Sequence, residues 1–283
     1  MKKFSVAIAA VCSLFLTAAE LFPEAFQRIG RMKNPAEAEK AYAELAKTVK
    51  KAVQKDAAFH AAAQKAVKAK NFENAETYIA FITDTDLRAF AAMEMRFARR
   101  QFKQLTIESK DFQLEQWRED LIPEAAYMRA YSYAFMKNRT AAEKDINTAF
   151  NSMIAPAPKY RMAHKLSNIY SEFIHDDAAE IALLQVVLPY TQYSTVEHFY
   201  RQRVVCRYAY LLGKTGKIDE GIKILTEYKG DKATSRIFRI KQTIGDLYAM
   251  KGDKASALKF YQEAQKIYPP WAKSLERSIK ALQ

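Results

Sequence analysis

The sequence predicts an all-α fold, and three observations support this prediction. The chain of 283 residues contains only 7 Gly and 8 Pro, so few positions interrupt a helix. Good helix formers, chiefly Ala, Leu, Lys, Glu and Gln, dominate stretches such as 36–55 and 59–70. No run shows strand-like alternation bounded by hairpin turns. Helices packed on helices are therefore expected along the whole chain.

The first 19 residues have the pattern of a secretory signal peptide. Lys2 and Lys3 give a positive start, residues 4–16 are almost continuously apolar, and residues 17–19 are small. The alternative, a retained membrane anchor, is disfavoured because the apolar core has roughly 13 residues and a bilayer needs about 20. We therefore expect cleavage after residue 19, a periplasmic or secreted bacterial protein, and no integral membrane segment in the mature chain.

Cysteine usage predicts stabilisation by packing alone. Cys12 lies inside the apolar core of the signal, where a lipoprotein processing site would leave almost no hydrophobic segment before it. The mature chain then keeps only Cys206, so no intramolecular disulfide can form. Cys206 is interpreted as a small residue in a helix interface or groove. A reactive thiol, activated by Arg203 and Arg207, is the alternative.

The most specific pattern lies near the C-terminus. It contains Gly in the middle of one helix, Gly at the following turn, and small and aromatic residues at fixed spacing in the next helix: Ile244, Gly245, Tyr248, Gly252, Ala257, Tyr261, Ala264 and Pro269. This spacing resembles the tetratricopeptide repeat. Gly252 is expected to end the first helix, Asp253 to cap the second, and Pro269 to stop it.

The pattern recurs along the chain. Residues 202–235 repeat the layout of 238–271 at a distance of 36 residues, from Gly216 to Gly252. Upstream the match is looser, with the early small residue of each second helix at 38, 75, about 105, 142, 179, 221 and 257. The least regular stretch is 100–121, where Leu105 replaces the small residue. One helical hairpin about every 37 residues is therefore expected.

The resemblance implies a right-handed α-α superhelix of about six to seven helical hairpins, formed by residues 20–283 as one tetratricopeptide-like domain. A generic irregular helical bundle shares the amphipathic pattern and is the alternative fold.

Catalytic and metal-binding motifs are scarce. The sequence lacks the phosphate-binding loop, the dinucleotide turn, the nucleophile elbow and the zincin helix. His175-Asp176-Asp177 is interpreted as a turn in which an aspartate caps the next helix, with metal coordination as the alternative. Glu108-Ser109 resembles the catalytic dipeptide of exported lytic transglycosylases, but the accompanying motif and lysozyme-like domain are missing. We therefore predict a non-enzymatic protein without cofactor or metal.

Charge is concentrated in the last third. Residues 201–283 contain 18 Lys plus Arg against 8 Asp plus Glu, a balance of +10, whereas residues 20–200 carry only +1. A localised positive field attracts anionic partners.

In the repeat family, the first helix of each hairpin lines the concave surface and contacts the ligand. The resemblance thus implies a basic, aromatic groove formed by Arg203, Arg207, Tyr210, Lys214, Arg239, Gln242 and Asp246, then Arg161, His164 and Asn168, then Tyr127, Tyr131 and Phe135.

The expected function is an exported scaffold or adaptor that binds an acidic protein or peptide. An anionic envelope glycan, such as peptidoglycan or lipopolysaccharide, is the second hypothesis. Nucleic acid is not expected, because an exported protein rarely meets it.

Overall fold

The computed structural model describes residues 22–228 and 233–282. The predicted signal peptide lies outside them. The chain divides into two compact units, one up to Met136 and one from Lys137. All regular structure in the described residues is helical. None of the described helices is both long enough and apolar enough to cross a membrane.

The described part of the N-terminal unit contains seven helices: α1 (Phe22–Gly30), α2 (Pro35–Thr48), α3 (Ala52–Lys68), α4 (Phe72–Ala80), α5 (Thr85–Ala98), α6 (Phe102–Ser109) and α7 (Ile122–Phe135). Within it α1 packs on α2, α3 on α4 and α5 on α6, each pair joined by a short turn. These pairs are antiparallel hairpins.

Eight helices lie in the C-terminal unit as far as the structure describes it: α8 (Arg139–Asn151), α9 (Pro156–Ile169), α10 (Asp177–Val187), α11 (His198–Lys214), α12 (Ile218–Glu227), α13 (Thr234–Lys251), α14 (Lys254–Ile267) and α15 (Glu276–Leu282). A π-helical turn, Tyr170–Ile174, continues α9, and 3-10 segments occupy Leu188–Gln192 and Pro269–Leu275. The hairpins are α9/α10, α11/α12 and α13/α14. The predicted all-α chain of helical hairpins is confirmed.

Seven positions were predicted to lie early in the second helix of a hairpin: 38, 75, 105, 142, 179, 221 and 257. In the structure they lie in α2, α4, α6, α8, α10, α12 and α14, respectively. Five of them are almost fully buried: Ala38, Ala75, Leu105, Ala142 and Ala257. In α12 the same position is Gly221, where an added Cβ would lie 2.6 Å from the Ala209 carbonyl oxygen. In α10 Ala179 is only half-buried, and the adjacent Glu180 is buried instead. Small residues therefore permit the close helix approach that the repeat pattern indicated.

The irregular stretch between residues 100 and 121 contains the short helix α6 and a 3-10 turn at Leu114–Gln116. Leu105 and Leu114 are almost completely buried. The guanidinium of Arg129 in α7 donates to the carbonyl oxygens of Ser109, at 2.8 Å, and Phe112, at 3.0 Å. A buried cation thus holds the connection that the sequence pattern left unassigned.

The C-terminal hairpin follows its motif closely. The Tyr261 ring occupies the space above Gly245, where an added Cβ would lie 2.6 Å from the ring carbons. Gly252 has a left-handed φ of 82°, and the Asp253 carboxylate accepts from the Ser256 N–H at 3.0 Å. After α14, Leu275 packs into the same core cluster as Tyr261. The segment after Pro269 therefore covers the end of the hairpin stack.

Candidate functional site: a basic cavity in the C-terminal unit

The first helices of three successive hairpins line an open cavity of about 370 Å³. Helix α11 lies in the middle, with α9 and α13 packed against it. The helices contribute four residues each, at the same spacing i, i+3, i+4 and i+7: His164, Ser167, Asn168 and Ser171; Arg203, Cys206, Arg207 and Tyr210; Arg239, Gln242, Thr243 and Asp246. This spacing places four side chains on one face of a helix. We call this space the basic cavity.

Many of the predicted groove residues meet here. Those that line the basic cavity are His164, Asn168, Arg203, Arg207, Tyr210, Arg239, Gln242 and Asp246. The prediction did not include Ser167, Ser171 and Thr243. These residues are short and polar, and they lack the charge or aromatic ring by which most groove residues were selected. The helical spacing itself is the signal that identifies them.

Arg207 lines the basic cavity, but its charge is already neutralised. Its Nε and Nη2 atoms donate to the two carboxylate oxygens of Glu180, at 2.7 and 2.6 Å. Glu180 is only 1% exposed and also accepts from the Ser167 hydroxyl at 2.5 Å. These hydrogen bonds raise the pKa of Arg207. The pair fixes the side of α11 that faces α10, and no local sequence pattern indicates it.

Arg203 and Arg239 are the unneutralised cations of the basic cavity. No carboxylate in the described part of the chain lies within ion-pair distance of either. The Arg203 guanidinium lies 4.2 Å from the centre of the Phe199 ring, and that of Arg239 lies 5.7 Å from the Trp271 ring. Burial, followed by the charge of Arg239, lowers the pKa of Arg203. The two guanidiniums therefore share one region of the cavity and repel each other.

Three further lining residues have shifted pKa values. Burial, with a smaller effect of Arg203, lowers the pKa of His164 to about 4, so its imidazole is neutral at pH 7. Burial raises the pKa of the Cys206 thiol to about 11, so the thiol is protonated. Burial also raises the pKa of Asp246, against the opposing hydrogen bond from the Tyr261 hydroxyl at 2.7 Å. Cys206 thus has the properties of a packed interface residue and lacks those of a nucleophile.

Five predicted groove residues lie outside the basic cavity: Arg161, Lys214, Tyr127, Tyr131 and Phe135. Arg161 forms an ion pair with Glu197 at 3.4 Å, and Lys214 pairs with Asp177. Tyr127 and Tyr131 belong to the N-terminal unit. There they form an aromatic cluster with Phe97, Phe102 and Phe135, with ring centres 4.8–6.4 Å apart.

The N-terminal unit has a second cavity, of about 650 Å³, which we call the N-terminal cavity. Its lining includes the acidic and basic residues Asp56, His60, Asp84, Arg118 and Asp120. Arg118 pairs with Asp84 at 3.0 Å and Asp120 at 2.9 Å, and His60 Nε2 lies 2.6 Å from the Glu94 carboxylate.

Asp56 is 4% exposed and accepts three hydrogen bonds in this cavity. They come from the Thr83 N–H at 2.9 Å, the Thr83 hydroxyl at 2.7 Å and the Asp84 N–H at 2.9 Å. The charged groups of the N-terminal cavity are therefore all engaged within the protein.

The residues considered for catalysis and metal binding have structural partners. Glu108 pairs with Arg96 at 3.2 Å and accepts from Gln104 at 2.7 Å. Burial acts to raise its pKa, but these hydrogen bonds outweigh burial and leave the pKa below its usual value. A transglycosylase acid needs the opposite shift. Asp176 caps α10 by accepting from the Ala179 N–H at 2.9 Å, as predicted. The described residues contain no cluster of His, Cys, Asp and Glu suited to a metal ion.

Similarity to known proteins is found in structure and not in sequence. No family model matches the chain, and no curated protein matches its sequence. The chain is similar to a solved structure of a tetratricopeptide repeat protein from Parabacteroides merdae, with 11% sequence identity and a TM-score of 0.49. The match covers 92% of this chain and 95% of that chain.

Proposed function

We propose that this protein is an exported, non-enzymatic scaffold or adaptor that binds an acidic segment of a protein partner in the basic cavity. One observation carries the proposal. Arg203 and Arg239 point into a space lined by three helices, and no described carboxylate neutralises them. A partly buried cation without a counter-ion is costly, so an anionic ligand that enters the cavity is stabilised there.

The geometry of the two arginines favours an oxyanion ligand. A guanidinium is planar and carries all its N–H donors at its edge. Phe199 and Trp271 interact with the cations and restrict the positions of the side chains. The donor edges therefore stay free for the carboxylate of an Asp, a Glu or a peptide C-terminus. Asn168 and Gln242 add neutral donors for the peptide backbone.

Exposed aromatic rings at the arginines support the second candidate, an anionic envelope glycan. Phe199 is 46% exposed and Trp271 is 39% exposed, although each interacts with a cavity arginine. Sugar rings stack on such rings through their apolar faces. A glycan carboxylate would use the same two arginines as an acidic peptide. The two candidates are therefore distinguished by whether the peptide or the glycan binds to the cavity.

Fluorescence anisotropy with a labelled peptide tests the proposal. The probes are two peptides that differ only in four consecutive residues, glutamate in one and glutamine in the other. We expect the glutamate peptide alone to bind, and the Arg203→Gln/Arg239→Gln variant to bind it at least about 30-fold more weakly, since two charge-assisted contacts are lost. Arg161→Gln, which removes an arginine of the same unit outside the cavity, should bind normally.

Equal binding of both peptides, or unchanged binding by the double variant, would contradict the proposal. Purified peptidoglycan, added as a competitor and in co-sedimentation, separates the glycan candidate. Salt-sensitive sedimentation that depends on Arg203 and Arg239, together with no binding of the glutamate peptide, would replace the protein partner by the glycan.

A further inference from the structure

The basic cavity also holds an uncompensated negative charge, at the other end of the face of α13. Asp246 accepts a hydrogen bond from the Tyr261 hydroxyl at 2.7 Å. Among the described residues, no Lys, Arg or His lies within ion-pair distance of its carboxylate. Asp246 follows Arg239 by seven residues, which is two helical turns or about 10 Å along the axis. The cavity is therefore bipolar.

The neighbouring cations that the structure describes pair with other carboxylates than that of Asp246. On α11, Arg207 is bonded to Glu180 and Lys214 is paired with Asp177. On α13 itself, Lys241 pairs with Glu263 at 2.8 Å. The net charge that a ligand meets is thus set by Arg203 and Arg239 at one end and Asp246 at the other.

We propose that the bound segment carries a mixed charge pattern, with an acidic side chain on Arg203 and Arg239 and a lysine or arginine about three residues away on Asp246. This inference rests on the proposed function and specifies the partner of the same cavity. An extended peptide advances about 3.3 Å per residue, so three residues span about 10 Å. A purely acidic segment would place like charges at Asp246 and bind less well.

The test compares acetylated, amidated and fluorescein-labelled peptides of the patterns Glu-Ala-Ala-Lys, Lys-Ala-Ala-Glu, Glu-Ala-Ala-Gln and Glu-Ala-Ala-Glu, each flanked by Gly-Ser. For the full wild-type chain, the better of the two mixed peptides should bind about tenfold more tightly than the Gln peptide, as one charge-assisted contact allows. Asp246→Asn should erase this difference, because Asn still accepts from Tyr261 but carries no charge. Asp246→Lys should instead prefer the doubly acidic peptide.

A spacing series on the wild-type chain provides a second measurement that needs no variant. Mixed peptides with three residues from acid to base should bind better than those with one or six. Equal affinity of the mixed and Gln peptides for the wild type would overturn this inference and leave the acidic-peptide function in place. Loss of all dependence on glutamate and on Arg203 and Arg239 would instead overturn the proposed function itself.

Discussion

The N-terminal cavity is larger than the basic cavity, about 650 against 370 Å³, and both are lined by charged residues. They differ in how those charges are satisfied. In the N-terminal cavity, Asp56 is saturated by Thr83 and Asp84, and Arg118 lies between two aspartates. In the basic cavity, Arg203, Arg239 and Asp246 have no described ion-pair partner. Unpaired charge, and not volume, thus distinguishes a candidate binding site from a structural cavity.

Removing one carboxylate from each cavity tests this distinction and should give the largest effect. Asp56→Ala leaves two partly buried backbone N–H groups and a hydroxyl without their acceptor, and we expect a loss of about 2–4 kcal/mol in the free energy of unfolding. Asp246→Asn keeps the acceptor for Tyr261 and should change it by less than about 0.5 kcal/mol.

Each unit contains one tryptophan, Trp117 or Trp271, so urea unfolding can be followed separately in Trp271→Phe and Trp117→Phe backgrounds. Comparable losses in both units would show that the charges of the basic cavity are as structural as those of the N-terminal cavity.

The second prediction concerns His164 in the basic cavity and the effect of its burial on the pH dependence of stability. Burial and Arg203 hold the pKa of His164 at about 4, whereas the unfolded value is about 6.5. Between these values the unfolded chain binds a proton that the folded chain does not, so stability falls as the pH decreases from 6.5 to 4. The loss should reach about 2–3 kcal/mol at pH 4.

His164→Gln should remove that component of the acid sensitivity. The measurement is urea unfolding at pH 7 and pH 4.5, followed by Trp271. His60→Gln in the N-terminal unit is the matched control, and it should leave the acid slope of the C-terminal unit unchanged. An identical slope in wild type and His164→Gln would contradict a buried, neutral imidazole.

The sequence pattern identified the cavity helices because their spacing is local. Residues i, i+3, i+4 and i+7 share a helix face whatever the rest of the fold does, so the spacing alone brings Arg203, Arg207 and Tyr210 to one face of α11. Pairing is not local. Glu180 and Asp177 lie 27 and 37 residues before the cations they neutralise, and no periodicity connects them to Arg207 and Lys214. The charge state of a groove is therefore harder to predict than its location.

The repeats upstream were difficult to recognise for a different physical reason. The turn inside each C-terminal hairpin places a glycine in the left-handed region, Gly216 at φ 87° and Gly252 at φ 82°. Upstream the same turn conformation is adopted by other residue types, with φ of 58–61°: Lys70, Arg100, Lys137 and His175. The backbone geometry recurs, but the glycine that reports it in the sequence is missing.

The hydrogen bonds show the same closure at four of these turns, those of Lys70, Arg100, Gly216 and Gly252. The N–H of the residue after the left-handed position donates to a carbonyl five residues earlier, from Asn71 to Ala66 at 2.8 Å and from Asp253 to Tyr248 at 3.0 Å. The same residue then caps the next helix, since the Asn71 and Asp253 side chains accept from N–H groups three residues later. The helix closure is thus the same with and without glycine.

The smallest predicted effect follows from this equivalence. Lys70→Gly relieves the cost of a left-handed non-glycine residue and should stabilise the N-terminal unit by about 1 kcal/mol, net of the entropy that glycine adds to the unfolded chain. Gly252→Ala introduces that cost and should destabilise the C-terminal unit by about 1 kcal/mol. Urea unfolding of the two variants, followed by Trp117 and Trp271 respectively, measures both. If Lys70→Gly destabilises instead, contacts of the lysine side chain hold the turn, and the upstream hairpins close by a mechanism that differs from that of the glycine-containing pair.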